Sequence, residues 1–62
     1  MKATIYNVKI QFWRESFNGH DYQDGQKTYR VKASTERIAT ERAYKLARKD
    51  HPVGWLKIES VV

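Results

Sequence analysis

Polar and apolar residues alternate along the first part of the chain. From Thr4 to Arg14 (TIYNVKIQFWR) every second residue is apolar or aromatic. The set that would face a core is Tyr6, Val8, Ile10 and Phe12. This period of two is typical of a β-strand with one buried face. Residues 26–33 (QKTYRVKA) and residues 55–62 (WLKIESVV) follow the same rule, so the pattern predicts three strands.

Between the second and third strands the period becomes that of a helix. In residues 35–50 (TERIATERAYKLARKD) the apolar positions fall within one half of a helical wheel. These positions are Ile38, Ala39, Ala43, Leu46 and Ala47. Ser34 or Thr35 can cap the N-terminus, because a hydroxyl oxygen accepts from free amides of the first turn. Pro52 ends the helix, since it disfavours helical geometry at His51 and donates no amide hydrogen bond.

The element order strand, strand, helix, strand predicts an α+β fold in a single domain, residues 1–62. The first two strands form an antiparallel hairpin. The helix then crosses the sheet, so the third strand pairs beside the first and gives the order 2-1-3. One helix can cover only one face of this three-stranded antiparallel sheet. The predicted core is Tyr6, Val8, Ile10, Phe12, Tyr29, Val31, Ile38, Ala39, Ala43, Leu46, Ala47, Leu56 and Ile58, with Val62 also turned inward.

A turn-rich segment, residues 16–25, separates the first two strands. It contains two turn signals, Asn18-Gly19 and Asp24-Gly25. Ten residues are many for a hairpin loop. Either the loop is long, or the strands extend into it and bring Phe17 and Tyr22 opposite each other near the tip.

Length and composition exclude several kinds of protein. The chain has 62 residues, a formal net charge of +5 and no cysteine. A chain this short buries only about 60% of its unfolded surface, so we expect marginal stability without disulfide or thiolate–zinc support. No apolar run reaches the roughly 20 residues of a membrane span, and the first residues lack the apolar centre of a signal peptide. We therefore expect a cytoplasmic protein without membrane contact.

We expect no catalytic residues, no metal and no cofactor. His20 and His51 are 31 positions apart and show no metal-ligand spacing, so we interpret them as exposed loop residues. Asp21 and Asp24 lie in the turn-rich segment and are typical turn formers. The three glycines lie at turns and form no phosphate-binding loop. These features predict a non-enzymatic protein.

The positive charge is concentrated in residues 27–49, which hold eight cations against two carboxylates. Such a charge distribution attracts polyanions or an acidic protein surface. Two predicted surfaces carry it. The outer helix face has Arg37, Arg42, Lys45, Arg48 and Lys49. The open sheet face has Lys9, Trp13, Arg30, Lys32, Trp55 and Lys57.

Each surface has a binding interpretation and a structural one. Aromatic rings among cations on an open sheet suit single-stranded nucleic acid, because bases stack on rings and phosphates meet cations. The two tryptophans can instead cover the sheet or form a homodimer interface. Helix cations can contact phosphates, or they can simply keep a solvated face soluble.

One stretch, RAYKLARKDHPVGWLKIES, resembles a known family. Its pattern is alanine, cation, aliphatic, alanine and lysine, followed by a glycine and a strand ending Ile-Glu-Ser. The matching residues are Ala43, Lys45, Leu46, Ala47, Lys49, Gly54, Ile58, Glu59 and Ser60. Together with the opening MKATIY, this stretch is similar to small phage-encoded type I-F anti-CRISPR inhibitors, which pack one helix on an antiparallel sheet. The similarity covers about a third of the chain; the long loop does not match, and family members continue into further strands.

The resemblance implies a phage protein in the host cytoplasm that occupies the DNA-binding groove of a CRISPR surveillance complex. Lys45 and Lys49 are the matching positions, and Arg42 and Arg48 join them by proximity. We predict a small basic binding protein that inhibits a host nucleic-acid-processing complex through contacts with a host protein or ribonucleoprotein. Direct binding of single-stranded or duplex nucleic acid and a homodimeric structural module remain alternatives.

Overall fold

The computed structural model describes residues 3–62 and has the predicted α+β fold. Its elements are strand β1 (Thr4–Glu15), strand β2 (Asp21–Ala33), helix α1 (Glu36–Asp50) and strand β3 (Trp55–Val61). The strands form one antiparallel sheet in the order β2-β1-β3, and α1 packs on one face of it. The order 2-1-3 is confirmed, with the longest alternating segment at the centre.

Helix α1 (Glu36–Asp50) begins and ends where the capping residues predict. Thr35 is the N-cap, and its side-chain oxygen accepts from the amide of Ile38 at 3.2 Å. At the other end the amide of His51 still donates to the carbonyl of Ala47 at 2.8 Å. The following proline cannot extend this hydrogen-bond series, so the helix stops there.

The core lies between α1 and the sheet. Its buried residues are Val8, Ile10, Tyr29, Val31, Ala33, Ala39, Ala43 and Ala47. Half-buried residues packed around them are Tyr6, Phe12, Ile38, Leu56, Ile58 and Val61. Because the buried helix positions are all alanines, the helix backbone approaches the strands closely and longer side chains have no space there.

Leu46 is not a core residue, contrary to the prediction. Its side chain is 44% exposed. The buried row of Ala39, Ala43 and Ala47 is narrow, and Leu46 lies about 100° around the helix from Ala47. The predicted half-wheel was therefore too wide for a helix whose contact row consists of alanines.

A β-bulge changes the alternation of β3. This strand holds one extra residue, Glu59, between the residues that pair with Lys9 and Ile10 of β1. The bulge shifts the inward positions by one residue. Val61 is half-buried in the core, whereas Val62 is 79% exposed. The predicted inward position of Val62 is wrong for this reason.

A second bulge lies in β2. Phe12 and Trp13 of β1 pair with Gly25 and Gln23, so Asp24 is the extra residue. One of the two predicted turn signals is therefore inside a strand. Both bulges are where a simple period of two fails to describe the sheet.

Beyond these bulges, β1 and β2 continue as a two-stranded hairpin that we name the arm (residues 14–22). Pairing with β3 ends at Trp13, so the arm has no third strand. Of the two alternatives left open for residues 16–25, the structure has the one in which the strands extend, but without the aromatic pair expected with it. Tyr22 lies opposite Arg14, and Phe17 lies in the turn. The described chain is consequently elongated, with a longest dimension of 48 Å.

Candidate functional site

The cations divide into those with a carboxylate partner and those without one. Within residues 3–62, the ion pairs of lysine and arginine are Lys9–Glu59 at 3.4 Å, Arg14–Asp24 at 3.9 Å, Lys27–Asp50 at 3.2 Å and Arg37–Glu41 at 3.7 Å. In the same residues the cations outside these pairs are Arg30, Lys32, Arg42, Lys45, Arg48, Lys49 and Lys57. The second group is available to an external anion without first losing a carboxylate partner.

Two cations of the predicted helix face, Arg37 and Arg48, have contacts that do not involve β2. Arg37 is paired with Glu41 one turn later. Arg48 turns toward the start of β3, where Nη1 donates to the carbonyl of Gly54 at 3.0 Å. The helix face is therefore not a single uniform cationic surface.

The remaining helix cations lie on the side of α1 nearest β2. Arg42 shows which side of α1 this is, because its guanidinium donates to the backbone carbonyl of Lys32 in β2. Lys45 and Lys49 lie three and seven positions after Arg42, and these intervals bring helical residues back to nearly the same side. All three helix cations are exposed.

Two cations of the open sheet face join them along the same edge. Arg30 and Lys32 pair with Asn7 and Ile5 of β1, and both are exposed on the face opposite α1. Because Arg42 reaches Lys32, the helix side and the sheet face meet along the outer edge of β2. We name the combined set the basic strip. It consists of Arg30, Lys32, Arg42, Lys45 and Lys49.

The two tryptophans occupy a different part of the open face. Trp13 pairs with Trp55 across β1 and β3, and their rings stack with centroids 5.1 Å apart and planes 10° apart. Both indole N–H groups have partners. Trp13 donates to the side chain of Gln11 and Trp55 donates to Asp21, each at 3.0 Å. We name these two residues the tryptophan pair.

The structure separates the tryptophan pair from most predicted sheet cations. Arg30 lies opposite Asn7, six residues before Trp13, which is about 20 Å along a strand. Lys9 is engaged by a carboxylate. Lys57 is the predicted cation that remains beside the pair, since it lies opposite the residue two before Trp13. The open face thus presents cations and rings in two regions.

A hydrogen-bonded cluster at the end of α1 was not predicted. Asp50 accepts from the Tyr29 hydroxyl at 2.7 Å and from the Lys27 ammonium at 3.2 Å. The hydrogen bonds from Tyr29 and Lys27 lower the pKa of the Asp50 carboxyl. Burial and the hydrogen bond to Asp50 raise the pKa of the Tyr29 hydroxyl. The available signal was a tyrosine at an inward strand position, whose hydroxyl needs a partner. The cluster joins the last helical turn to β2.

His51 is also not the exposed loop residue that was predicted. Its side chain is only 11% exposed, and its ring stacks on Phe12 with centroids 5.0 Å apart. Nδ1 lies 3.9 Å from a carboxylate oxygen of Asp24, while Nε2 is buried and has no hydrogen-bond partner within residues 3–62. The imidazole closes the apolar core beyond the last turn of α1. His20 is exposed, as predicted.

Two shallow depressions of the described surface are open to solvent. One of about 380 Å³ is lined by Thr40, Glu41, Tyr44 and Lys45. One of about 360 Å³ is lined by Arg14, Glu15, Val53 and Gly54. No three His, Cys, Asp or Glu side chains of residues 3–62 are grouped to hold a metal ion. Helix α1 is too short and too polar to cross a lipid bilayer.

Comparison of the chain with protein-family models, with curated proteins and with solved structures found no match. The resemblance at Lys45 and Lys49 therefore stays a prediction. The basic strip, the tryptophan pair and the arm are the surface features that bear on function.

Proposed function

We propose that this chain is a small non-enzymatic protein that inhibits a host nucleic-acid-processing ribonucleoprotein complex by binding to it through the basic strip. One observation carries the proposal. Five exposed cations from two different elements converge along one edge, and none is paired with a carboxylate within residues 3–62. Cations that are not paired with carboxylates of the same chain attract an anionic partner.

The shape of the basic strip supports a macromolecular partner. Its exposed cations lie along the outer edge of β2 and the adjoining side of α1. Small substrates are normally held in concave pockets, whereas exposed lysine and arginine side chains spread along an edge can contact successive phosphates or carboxylates. This contrast supports a binding protein over an enzyme.

Direct binding of free single-stranded or duplex nucleic acid is the second candidate. The observation favouring it is the tryptophan pair with Lys57 beside it on the uncovered face of the sheet. Each indole has one face stacked on its neighbour, and both residues remain partly exposed, as stacking of a base would require. A homodimer through the same face is a third candidate, because it would cover these rings with a second copy.

A purified type I-F CRISPR surveillance complex is the probe that the sequence resemblance specifies. The double charge reversal Lys45→Glu with Lys49→Glu should weaken binding to it by about tenfold or more, since two cations of the strip become anions. The matched control is Lys9→Glu with Arg37→Glu, which changes the net charge equally outside the strip. That control should bind within about threefold of the wild type. Absence of binding by the wild type would refute the proposed function.

The second candidate is tested with a free single-stranded oligonucleotide and a duplex. Direct binding requires affinity that falls with salt, with a log–log slope of about −0.7 to −0.9 per phosphate contacted. Affinity for the free oligonucleotide equal to that for the complex would favour the second candidate. Concentration-dependent sedimentation of the protein alone would favour the homodimer.

A further inference from the structure

Phe17 is placed at the far end of the arm, away from the core. The arm extends beyond both β3 and α1, because pairing with β3 ends at Trp13 and the helix ends at Asp50. The side chain of Phe17 is fully exposed, with a relative exposure of 107%. Among the large apolar side chains of residues 3–62 it is the most exposed.

The turn that carries Phe17 is held by hydrogen bonds on both sides of it. The amide of Gly19 donates to the carbonyl of Ser16 at 3.1 Å, and the amide of Ser16 donates to the carbonyl of His20 at 3.3 Å. The Ser16 hydroxyl also contacts the side chain of Asn18 and the carbonyl of His20. The aromatic ring is thus presented on an ordered turn, which lowers the entropy lost on binding.

The fold itself does not use the ring of Phe17. It is absent from the buried core and from the half-buried residues packed around that core. Tyr22, the nearest candidate for an aromatic partner within the arm, lies opposite Arg14 instead. Single exposed apolar side chains are common on protein surfaces, but this ring is held on an ordered turn at the end of the arm, where an external partner can reach it.

The charge of the arm is opposite to that of the basic strip. The arm contains one cation, Arg14, and two carboxylates, Glu15 and Asp21, and a third carboxylate, Asp24, lies in the bulge next to it. Arg14 is engaged with Asp24 at 3.9 Å. Glu15 and Asp21 therefore flank the turn without a cationic partner among residues 3–62. A nucleic-acid backbone would be repelled at this end, whereas a cationic protein surface would be attracted.

We propose that the arm inserts Phe17 into an apolar pocket with a cationic rim on a protein partner. The inference rests on the proposed function and deepens it: the basic strip contacts an anionic part of the complex, and the arm contacts a protein subunit. Single aromatic anchors that enter a desolvated pocket commonly dominate the binding energy of an interface. The flanking carboxylates orient the approach by pairing with the rim.

Binding is measured with the same purified type I-F surveillance complex, comparing the wild type with single variants. Phe17→Ala should raise the dissociation constant by about 10- to 100-fold, because the anchor is removed. Glu15→Gln should raise it by about two- to fivefold, since one orienting charge is lost. Val62→Ala is the matched control: it truncates another exposed apolar side chain, far from the tip in the sequence, and should leave the constant unchanged.

A photoreactive phenylalanine analogue at position 17 identifies what the tip contacts. Cross-linking to a protein subunit is the expected result. Adducts on RNA alone, or equal affinity of Phe17→Ala and wild type for the complex, would overturn the inference while leaving the proposed function intact. A complex that fails to bind the wild type refutes the proposed function and this inference with it, so the two failures are distinguishable.

Discussion

The two halves of the β1–β2 hairpin are built from the same strands but are stabilised differently. Under α1, Val8 and Ile10 are completely buried and the hairpin has a third strand beside it. In the arm, residues 14–22, no side chain is buried and no third strand is present. An isolated two-stranded hairpin is only marginally stable in water, so the arm depends on the covered half and on its own turn. Stability is thereby provided by the covered half, and the partner contact that we propose lies at the opposite end of the hairpin.

The largest difference between the halves is expected from truncating an apolar residue in each. Ile10→Ala removes a fully buried side chain and should lower the free energy of unfolding by about 2–5 kcal/mol. Phe17→Ala removes a fully exposed one and should change it by at most about 0.5 kcal/mol. Urea unfolding followed by circular dichroism measures both. Similar losses for the two variants would show that the arm packs against the core in solution.

A smaller difference is expected between two glycines with positive φ. At Gly54 (φ 73°) an added Cβ would clash with the carbonyl oxygen of Trp13, so Gly54→Ala should cost about 2–3 kcal/mol. At Gly19 (φ 87°) nothing lies within 4 Å, and Gly19→Ala should cost only the left-handed backbone strain of about 1 kcal/mol. Thermal unfolding of both variants tests this order. A Gly19→Ala variant that is the less stable of the two would contradict it.

The smallest effect concerns the cluster that holds the end of α1 to β2. Tyr29→Phe removes one hydrogen bond to Asp50 and should cost about 1 kcal/mol at neutral pH. Urea unfolding measures this loss. Tyr22→Phe is the matched control, because Tyr22 is half exposed in the arm, and it should have no measurable effect.

Tyr29→Phe should also make the free energy of unfolding depend less on pH at both the acid and the alkaline end. The folded-state pKa of Asp50 is lowered, so its stabilisation is present above the unfolded value of about 4 and is lost as pH falls below that value. The folded-state pKa of Tyr29 is raised, so its stabilisation is present below the unfolded value of about 10 and is lost as pH rises beyond it. Urea unfolding at a series of pH values from about 2 to about 11 measures both the acid and the alkaline loss of stability. Identical curves for Tyr29→Phe and the wild type would contradict this assignment.

Local patterns in the sequence were sufficient for the elements and their order. The period of two in β1 and the period of a helix in residues 35–50 each depend on neighbouring residues only. The Thr35 cap and the stop at Pro52 are also local signals, and the structure has both. The strand order followed because a helix between two strands restricts how they can pair.

Features that depend on register or on helix rotation were not predictable in this way. The extra residues Asp24 and Glu59 are visible only when two strands are aligned, and they displaced a predicted turn and a predicted core position. Leu46 was misplaced because the buried row contains only alanines. The members of the basic strip were all predicted, but on two separate surfaces. Their meeting along one edge depends on the contact between Arg42 and the carbonyl of Lys32.

The stacked indoles of Trp13 and Trp55 have a practical consequence. They are the two tryptophans of the chain, and they lie where the covered half of the hairpin ends and the arm begins. Aromatic chromophores held this close and this parallel couple their electronic transitions, which gives an ultraviolet circular dichroism signal that separated rings lack. The protein therefore contains its own label-free spectroscopic reporter of the junction, and movement of the arm during binding can be followed without attaching a dye.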